Sequence, residues 1–397
     1  MVADLMRSFD VGAAVLGNLS ALYFYFYAGL QVPIGSLMDK WGARTMLSLS
    51  MLLAGLGSLV FSLAPGIEIA YLGRVLVGIG SAVAFVATLA LAARWFPTNR
   101  FAFLSGVTMF SGLIAGVAGQ GPTASLVLAY GWREVMFAAS VFALCLSATI
   151  WLVVRNSPNE LAMRQPRKAK SAPKHSVLQN FREALRNREV WTIGMIAMAC
   201  SGPMLAFGGL WGVPYLSMRY GLPRPEAAGY ASLMFVGFAC GAPLGGWISD
   251  TLQRRKLPLL FASAMNVVFI AVLCFGPDMS LTATATLVFL LGLNGSAMAS
   301  TYAFAKEVSP PHIHGSVTGL VNMMTVGAGA ILQPIIGVHL EWLWDGTTKD
   351  GVPVYSAAMY ETAFLSILLI AGFGLVAAAL TTETHCRQRS FPESKAQ

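Results

Sequence analysis

Eleven stretches of this chain run for 19 residues or more without a single Asp, Glu, Lys or Arg: 11–38, 45–67, 75–93, 101–132, 135–154, 190–218, 227–249, 257–277, 279–305, 308–340 and 362–382. Each is long enough to cross about 30 Å of hydrocarbon as a helix. Lipid offers no partner for bare backbone N–H and C=O groups, so runs of this length must satisfy themselves internally and be helical. The short alternating segments of a membrane β-barrel are absent. With only 11% of residues charged, the chain lacks the polar groups to coat a soluble exterior, and its 40 glycines suit closely packed helices. The fold class expected is an all-α membrane protein with lipid as its solvent.

Charge placement orients it. If the loops are assigned alternately to two sides, one side carries Lys40, Arg44, Arg94, Arg100, the nine basic residues of 155–188, Arg254, Arg255, Lys256, Lys306, Arg387, Arg389 and Lys395, which is 20 of the 26. The other side holds Arg7, Arg133, Arg219, Arg224 and Lys349, with Arg74 inside the membrane span expected near 67–93. The positive-inside rule makes the first side cytoplasmic; a bacterial inner (plasma) membrane is the expected location. The same distribution argues against nucleic acid as a partner. Cys145, Cys200, Cys240 and Cys274 lie within apolar runs and Cys386 stands alone in the tail, so they read as small packing residues rather than a disulfide framework. Residues 1–10 lack the apolar core of a secretory signal.

The chain divides at a basic linker, 155–189, with nine basic and three acidic residues and the run RQPRKAKSAPK. It separates a bundle over 1–154 from one over 190–383, with a cytoplasmic tail at 384–397. Within the linker, Ser176 and Gln179 resemble a capping box, and Val177, Phe181 and Leu185 recur at helical spacing. A short amphipathic helix on the inner leaflet and a solvated loop are both consistent with this. The halves repeat: Gly35 and Asp39 of GSLMD match Gly246 and Asp250 of GWISD at an offset of 211 residues, with basic residues following in both. Run backwards from 190–218, the same offset places a partner before Met1. The first half has five stretches and the second six, so the expectation is a six-plus-six protein whose first helix is missing from this chain. A start assigned at an internal methionine accounts for this; a shortened chain or a natural eleven-helix protein are the alternatives.

Gly35, Asp39, Lys40, Gly42 and Arg44 resemble the loop signature of the major facilitator superfamily between its helices two and three, with Ala43 departing from a basic position. Gly246, Asp250, Arg254 and Arg255 resemble its second copy between helices eight and nine. Arg74, Gly78 and Gly80 resemble its helix-four motif, Gly131 to Phe137 the start of its helix six, and Gly121 with Pro122 a weak helix-five motif. The resemblance implies two pseudo-symmetric six-helix bundles with a solute site near the bilayer midplane between them. It also implies that Asp39 faces the N-terminal end of helix eleven, here beginning near His314 to Val317. A carboxylate is unfavourable at the C-terminal end of its own helix by a few tenths to ~1 kcal/mol and favourable at the N-terminus of another. Such a contact, shared with Arg44 or Arg100, would exist only while the cytoplasmic faces are closed, making the cluster a gate latch. A role confined to stopping the helix and fixing topology is the plainer alternative.

Arg74 is the one basic residue well inside an expected membrane span, that near 67–93, about seven residues or ~10 Å from its outer end. Because intramembrane charge is costly, it is expected to face a cavity, where it binds an anionic group of the solute or tunes a proton site; the resemblance leans toward an anionic or zwitterionic solute, and the structural alternative is a pairing with Glu68 or a backbone carbonyl. Tyr23, Tyr27 and Gln31 share one helical face, and Trp211, Asn294, Tyr302, Asn322 and Gln333 are further polar or aromatic candidates, each equally able simply to hold helices together. No Asp or Glu lies deep in a stretch; Glu68, Glu134, Glu226 and Glu361 are near the outer ends. His312 and His314 have neither Cys nor a carboxylate cluster nearby, so no metal site is expected. There is no phosphate-binding loop for ATP, no nucleophile paired with a base, and hence no enzyme and no cofactor. The function expected is secondary active or facilitative transport of a small organic solute by a monomer, through alternating access. A transporter-like receptor and an inactive shortened chain are the alternatives.

Overall fold

A computed structural model describes residues 2–96, 107–108, 111–112, 114–156, 177–276, 279–349 and 351–391. The elements are α1 (Val2–Phe9), α2 (Ala13–Ser62), α3 (Ile67–Ser81), α4 (Ala84–Trp95), α5 (Gly121–Tyr130), α6 (Trp132–Val153), α7 (Val177–Arg186), α8 (Arg188–Pro203), a π-helix over Met204–Trp211, α9 (Gly212–Tyr220), α10 (Arg224–Leu252), α11 (Lys256–Phe275), α12 (Leu281–Gly295) and α13 (Met298–Glu307). A 3₁₀ turn at Pro311–Ile313 leads into α14 (His314–Leu343), a two-residue hairpin β1 (Thr348–Lys349) and β2 (Val352–Pro353), then α15 (Ala357–Ala363) and α16 (Leu365–Leu380). Among the described residues ten helical segments are long and apolar enough to cross a membrane. They fall on ten of the charge-free stretches; of 101–132, the described part includes α5.

Local chemistry sets the breaks. The 50 residues of α2 are interrupted at Gly42, whose φ of 77° and ψ of 160° lie outside the helical region and suit a residue without Cβ. Two spans result, Ala13–Gln31 and Trp41–Ser62. Asn187 opens α8 by accepting from the Glu189 N–H at 3.0 Å, and Ser280 opens α12 by accepting from Ala283 N–H at 3.2 Å. Pro203, which lacks an N–H, stands at the end of α8 where the helix widens into the π-helical segment.

The chain forms two compact units, one of residues 1–174, 210–232 and 329–363, the other of 175–209, 233–328 and 364–397. In the first, α2 packs on α3 and α6. Gly57 and Gly73 let the α2 and α3 backbones touch: a Cβ on Gly57 would sit 2.7 Å from the Gly73 carbonyl oxygen, and one on Gly73 2.8 Å from that of Gly57. Ile34, Met38, Met46, Ala82 and Ala87 form a buried cluster nearby. In the second unit α8 and α11 pack on α16, and Ile193, Ile196, Leu259, Phe304, Val317 and Leu320 are central to the core.

The linker helix α7 rests one side on protein. Its Ala184 is fully buried in the core of the second unit, Asn180 Nδ2 donates to His312 O at 3.5 Å, and His312 Nε2 meets Glu183 Oε2 at 3.0 Å. Leu185, one of the three residues expected on its apolar face, is 36% exposed. The docking surface is the 3₁₀ turn more than a hundred residues away, which helical spacing cannot reveal.

Candidate functional site

Arg74, on α3, reaches across to α2. Its Nε donates to Leu19 O at 3.3 Å, its Nη2 to Ser20 O at 3.5 Å, and its Cζ lies 5.7 Å from the Tyr23 ring centroid. Of the two structural pairings open to it, the backbone carbonyl is the one made; no carboxylate pairs with Arg74 among the described residues. Tyr27 follows Tyr23 one turn on, with ring centroids 5.8 Å apart. Gln31 Nε2 donates to Tyr27 O and to Ala82 O, each at 3.4 Å, so its amide links α2 to the end of α3. Arg74 thus lies against Tyr23, whose ring in turn neighbours that of Tyr27.

Trp211 and Gln333 make a second cluster. Trp211 is fully buried and donates from Nε1 to Gln333 O at 3.1 Å, so it serves packing between helices and presents no surface to a solute. The same carbonyl lies against α2, 2.6 Å from where a Cβ on Gly17 would stand. Above this contact the start of α2 is closed by residues from the far end of α14 and beyond. Ala13 N–H donates to the Tyr355 hydroxyl at 3.3 Å and Ala14 N–H to Glu341 Oε1 at 3.1 Å. Gly12 offers no side chain to cap α2, and a Cβ there would strike Glu341 Oε1 at 1.9 Å. A carboxylate and a hydroxyl therefore satisfy helix-terminal N–H groups that the sequence around them cannot.

In the second unit, Tyr302 donates to Asn322 Oδ1 at 2.9 Å, joining α13 to α14. Asn294 Nδ2 donates to Ala262 O at 2.7 Å and Asn266 Oδ1 at 3.0 Å, fastening α12 to α11. The candidate residues therefore come together as separate pairs and clusters, each inside one unit.

The charged signature resolves differently in its two copies. The backbone of Gly35, Asp39 and Lys40 belongs to α2, while the rest of these three residues and all of Arg100 lie outside the described residues. Arg44 turns to α6: Nε and Nη2 donate to Trp151 O at 2.9 and 2.6 Å, and Cζ lies 4.4 Å from the Trp151 ring centroid. Its cation thereby sits at the C-terminal, partially negative end of that helix. Asn156 Oδ1 accepts from Arg44 N–H at 2.9 Å and occupies the space that a side chain on Gly42 would need.

In the second copy, Gly246 lies within α10 and Arg254 is exposed. Arg255, 8% exposed, is held inside its own unit. It donates to Glu307 Oε1 at 3.0 Å, to Asp250 Oδ1 at 2.8 Å and to Ser249 Oγ at 2.9 Å. Glu383, from the segment after α16, accepts from Arg255 N–H at 2.7 Å, Lys256 N–H at 3.1 Å, Thr384 N–H at 3.0 Å and His385 N–H at 3.2 Å. Burial pushes the Glu383 carboxyl up, but these four N–H groups outweigh it and leave its pKa below the usual carboxylate value.

Sequence reasoning did not find Glu307, Glu383, Glu341 or Tyr355 as partners. Glu341 and Glu383 each stand directly after a charge-free stretch, a position that places a carboxylate at a helix-end level without naming what it meets. It also did not find the contacts of Glu361, which accepts from Arg219 and, at 3.2 Å, from the Tyr215 hydroxyl. Asp4 pairs with Arg224 at 2.6 Å. Among the described residues no group of three or more His, Cys, Asp and Glu could hold a metal ion.

Comparison with known proteins follows this geometry. The profile of the Major Facilitator Superfamily matches residues 1–334. The probable galactarate/D-glucarate transporter GudP of Bacillus subtilis is 26% identical over 401 residues, covering 93% of this chain and 86% of that protein. The probable nitrate/nitrite antiporter NarK1 of Thermus thermophilus is 25% identical over 369 residues, covering 85% and 80%. A bacterial homologue of the human lysosomal transporter Spinster, crystallised inward-facing and unoccupied, superposes with a TM-score of 0.75 at 17% identity over 98% of this chain and 94% of that one.

Proposed function

Because this chain belongs to the major facilitator superfamily, a family of transporters rather than enzymes, we propose that the small solute it carries across the membrane is an anion and that Arg74 is the group that meets it. The observation that carries this reading is the state of Arg74: a guanidinium within a membrane span whose hydrogen bonds go to two neutral carbonyls. Carbonyls satisfy its donors but leave its positive charge uncompensated in a medium where charge is costly. A carboxylate or oxyanion arriving beside it supplies a charge-assisted, bidentate partner. The Tyr23 ring, its centroid 5.7 Å from the guanidinium carbon, gives that position an aromatic wall. The relatives' names agree, since galactarate, D-glucarate, nitrate and nitrite are all anions.

Movement is by alternating access. Asp39 is the residue proposed for the cytoplasmic latch; the Glu341 and Tyr355 cap closes the start of α2. The Asp39→Asn variant then slows transport without abolishing insertion, read by cysteine accessibility around the cytoplasmic ends of the helices. The protein acts as a monomer in a bacterial inner membrane, its basic side inward.

Uptake of labelled D-glucarate into proteoliposomes, with neutral D-glucose alongside, tests the solute class. The expected result is glucarate accumulation, lowered by about tenfold or more in Arg74→Gln, the loss of one charge-assisted hydrogen bond, and partly kept in Arg74→Lys. Equal uptake of the neutral sugar, or an unaffected Arg74→Gln protein, overturns the assignment.

A further inference from the structure

A groove of about 340 Å³ opens in the first unit at the ends of α4 and α6, lined among others by Thr88, Leu91, Trp95, Val107, Val153 and Arg155. Its walls are mostly apolar, and it lies where two membrane-spanning helices end. The surroundings of its mouth are basic and aromatic. Trp95 Nε1 donates to Arg155 O at 3.0 Å, and Arg44 stacks on Trp151 two residues before the end of α6. Trp41, Trp95 and Trp151 are 43%, 38% and 48% exposed, and each is at or near the end of its helix. Exposed indoles at helix ends mark the headgroup level of a bilayer, where the ring fits the boundary and the N–H finds a polar partner.

Charge decides what the groove holds. Neither Arg44 nor Arg155 pairs with a carboxylate among the described residues; Arg44 bonds to the Trp151 carbonyl and Arg155 Nη1 to its own neighbour, Val154 O, at 3.2 Å. Arg155 lines this apolar groove and Arg44 sits on Trp151 one turn earlier in the chain, and two guanidinium groups at headgroup level by an apolar groove are complementary to one kind of molecule. It must carry a negative phosphate and a long hydrocarbon chain on the same scaffold. We infer that this groove is a binding site for an anionic glycerophospholipid, with one acyl chain between α4 and α6 and the phosphate at Arg155. A lipid so placed fastens the end of α4 to that of α6 on the side carrying the basic loops, where anionic lipid adds to the attraction.

The test is lipid retention, which does not depend on the transported solute. The full chain, purified in mild detergent and stripped of lipid, is offered phosphatidylglycerol or phosphatidylcholine of identical acyl chains, and bound lipid is counted by native mass spectrometry. One phosphatidylglycerol per chain is expected, preferred by about fivefold, the effect of one arginine near a membrane surface. Arg155→Gln removes the preference, Arg155→Lys keeps it, and Val107→Trp, which fills the groove, loses both lipids. Excess inorganic phosphate does not displace the bound lipid. Equal retention of the two lipids by the unaltered protein, an unchanged preference in Arg155→Gln, full retention in Val107→Trp, or displacement by free phosphate overturns the site.

Discussion

Arg255 illustrates how far a residue's type and spacing can be trusted. The repeat of Gly35 and Asp39 at Gly246 and Asp250 marks it as part of a signature, yet its partners are Glu307 and the segment holding Glu383, far away along the chain. Both Arg255 and Glu307 are nearly buried, so removing one partner strands the other's charge. Arg255→Met is expected to destabilise the protein by about 3 kcal/mol or more, and the double variant Arg255→Met with Glu307→Met to recover most of that, read by thermal unfolding in detergent. Glu383 adds a pH dependence. Its folded pKa is depressed, so its contribution is complete above the unfolded carboxylate value and is lost as pH falls through the folded one. The melting temperature of the unaltered protein should therefore drop on acidification below the ordinary carboxylate range by more than that of Glu383→Gln. Parallel curves for the two would remove Glu383 from the account.

Helices were the legible scale. Of the eleven charge-free runs, ten carry a span among the described residues, because lipid forces each run to satisfy its own backbone, and Gly42 in the loop signature is where α2 breaks. What closes the start of α2 was not legible. Gly12 carries no capping side chain, and the groups that do the capping come from Glu341 and Tyr355, more than three hundred residues later. That cap joins an early helix to a late one, so loosening it should expose the early one. With a cysteine at Ala13, which is fully buried, the pair Glu341→Gln and Tyr355→Phe is expected to speed modification by a membrane-impermeant maleimide several-fold. An unchanged rate would leave the cap as a local fastening. At the contact of α2 with α3, Gly57→Leu drives a side chain into the Gly73 backbone and should sharply reduce the yield of folded protein in the membrane.

At the scale of the whole molecule the chain is a multi-pass transporter of the major facilitator fold, and the orientation proposed from its loop charges can be tested directly. A cysteine at Lys174 should be labelled by impermeant reagent only in inside-out vesicles, and one at Thr347 only in right-side-out cells; the reverse pattern would invert the topology. Transmembrane character and the family signature were determined by the sequence itself, because hydropathy and loop charge are local properties read against a solvent that tolerates few alternatives. Which polar groups meet was decided only in the tertiary structure. Arg74 ends on carbonyls of α2, Trp211 is buried against Gln333, and Arg255 turns inward to Glu307. Each outcome depends on the rotation and register of one apolar helix against another, and helices of similar hydropathy carry little sequence pattern that distinguishes one such arrangement from the next.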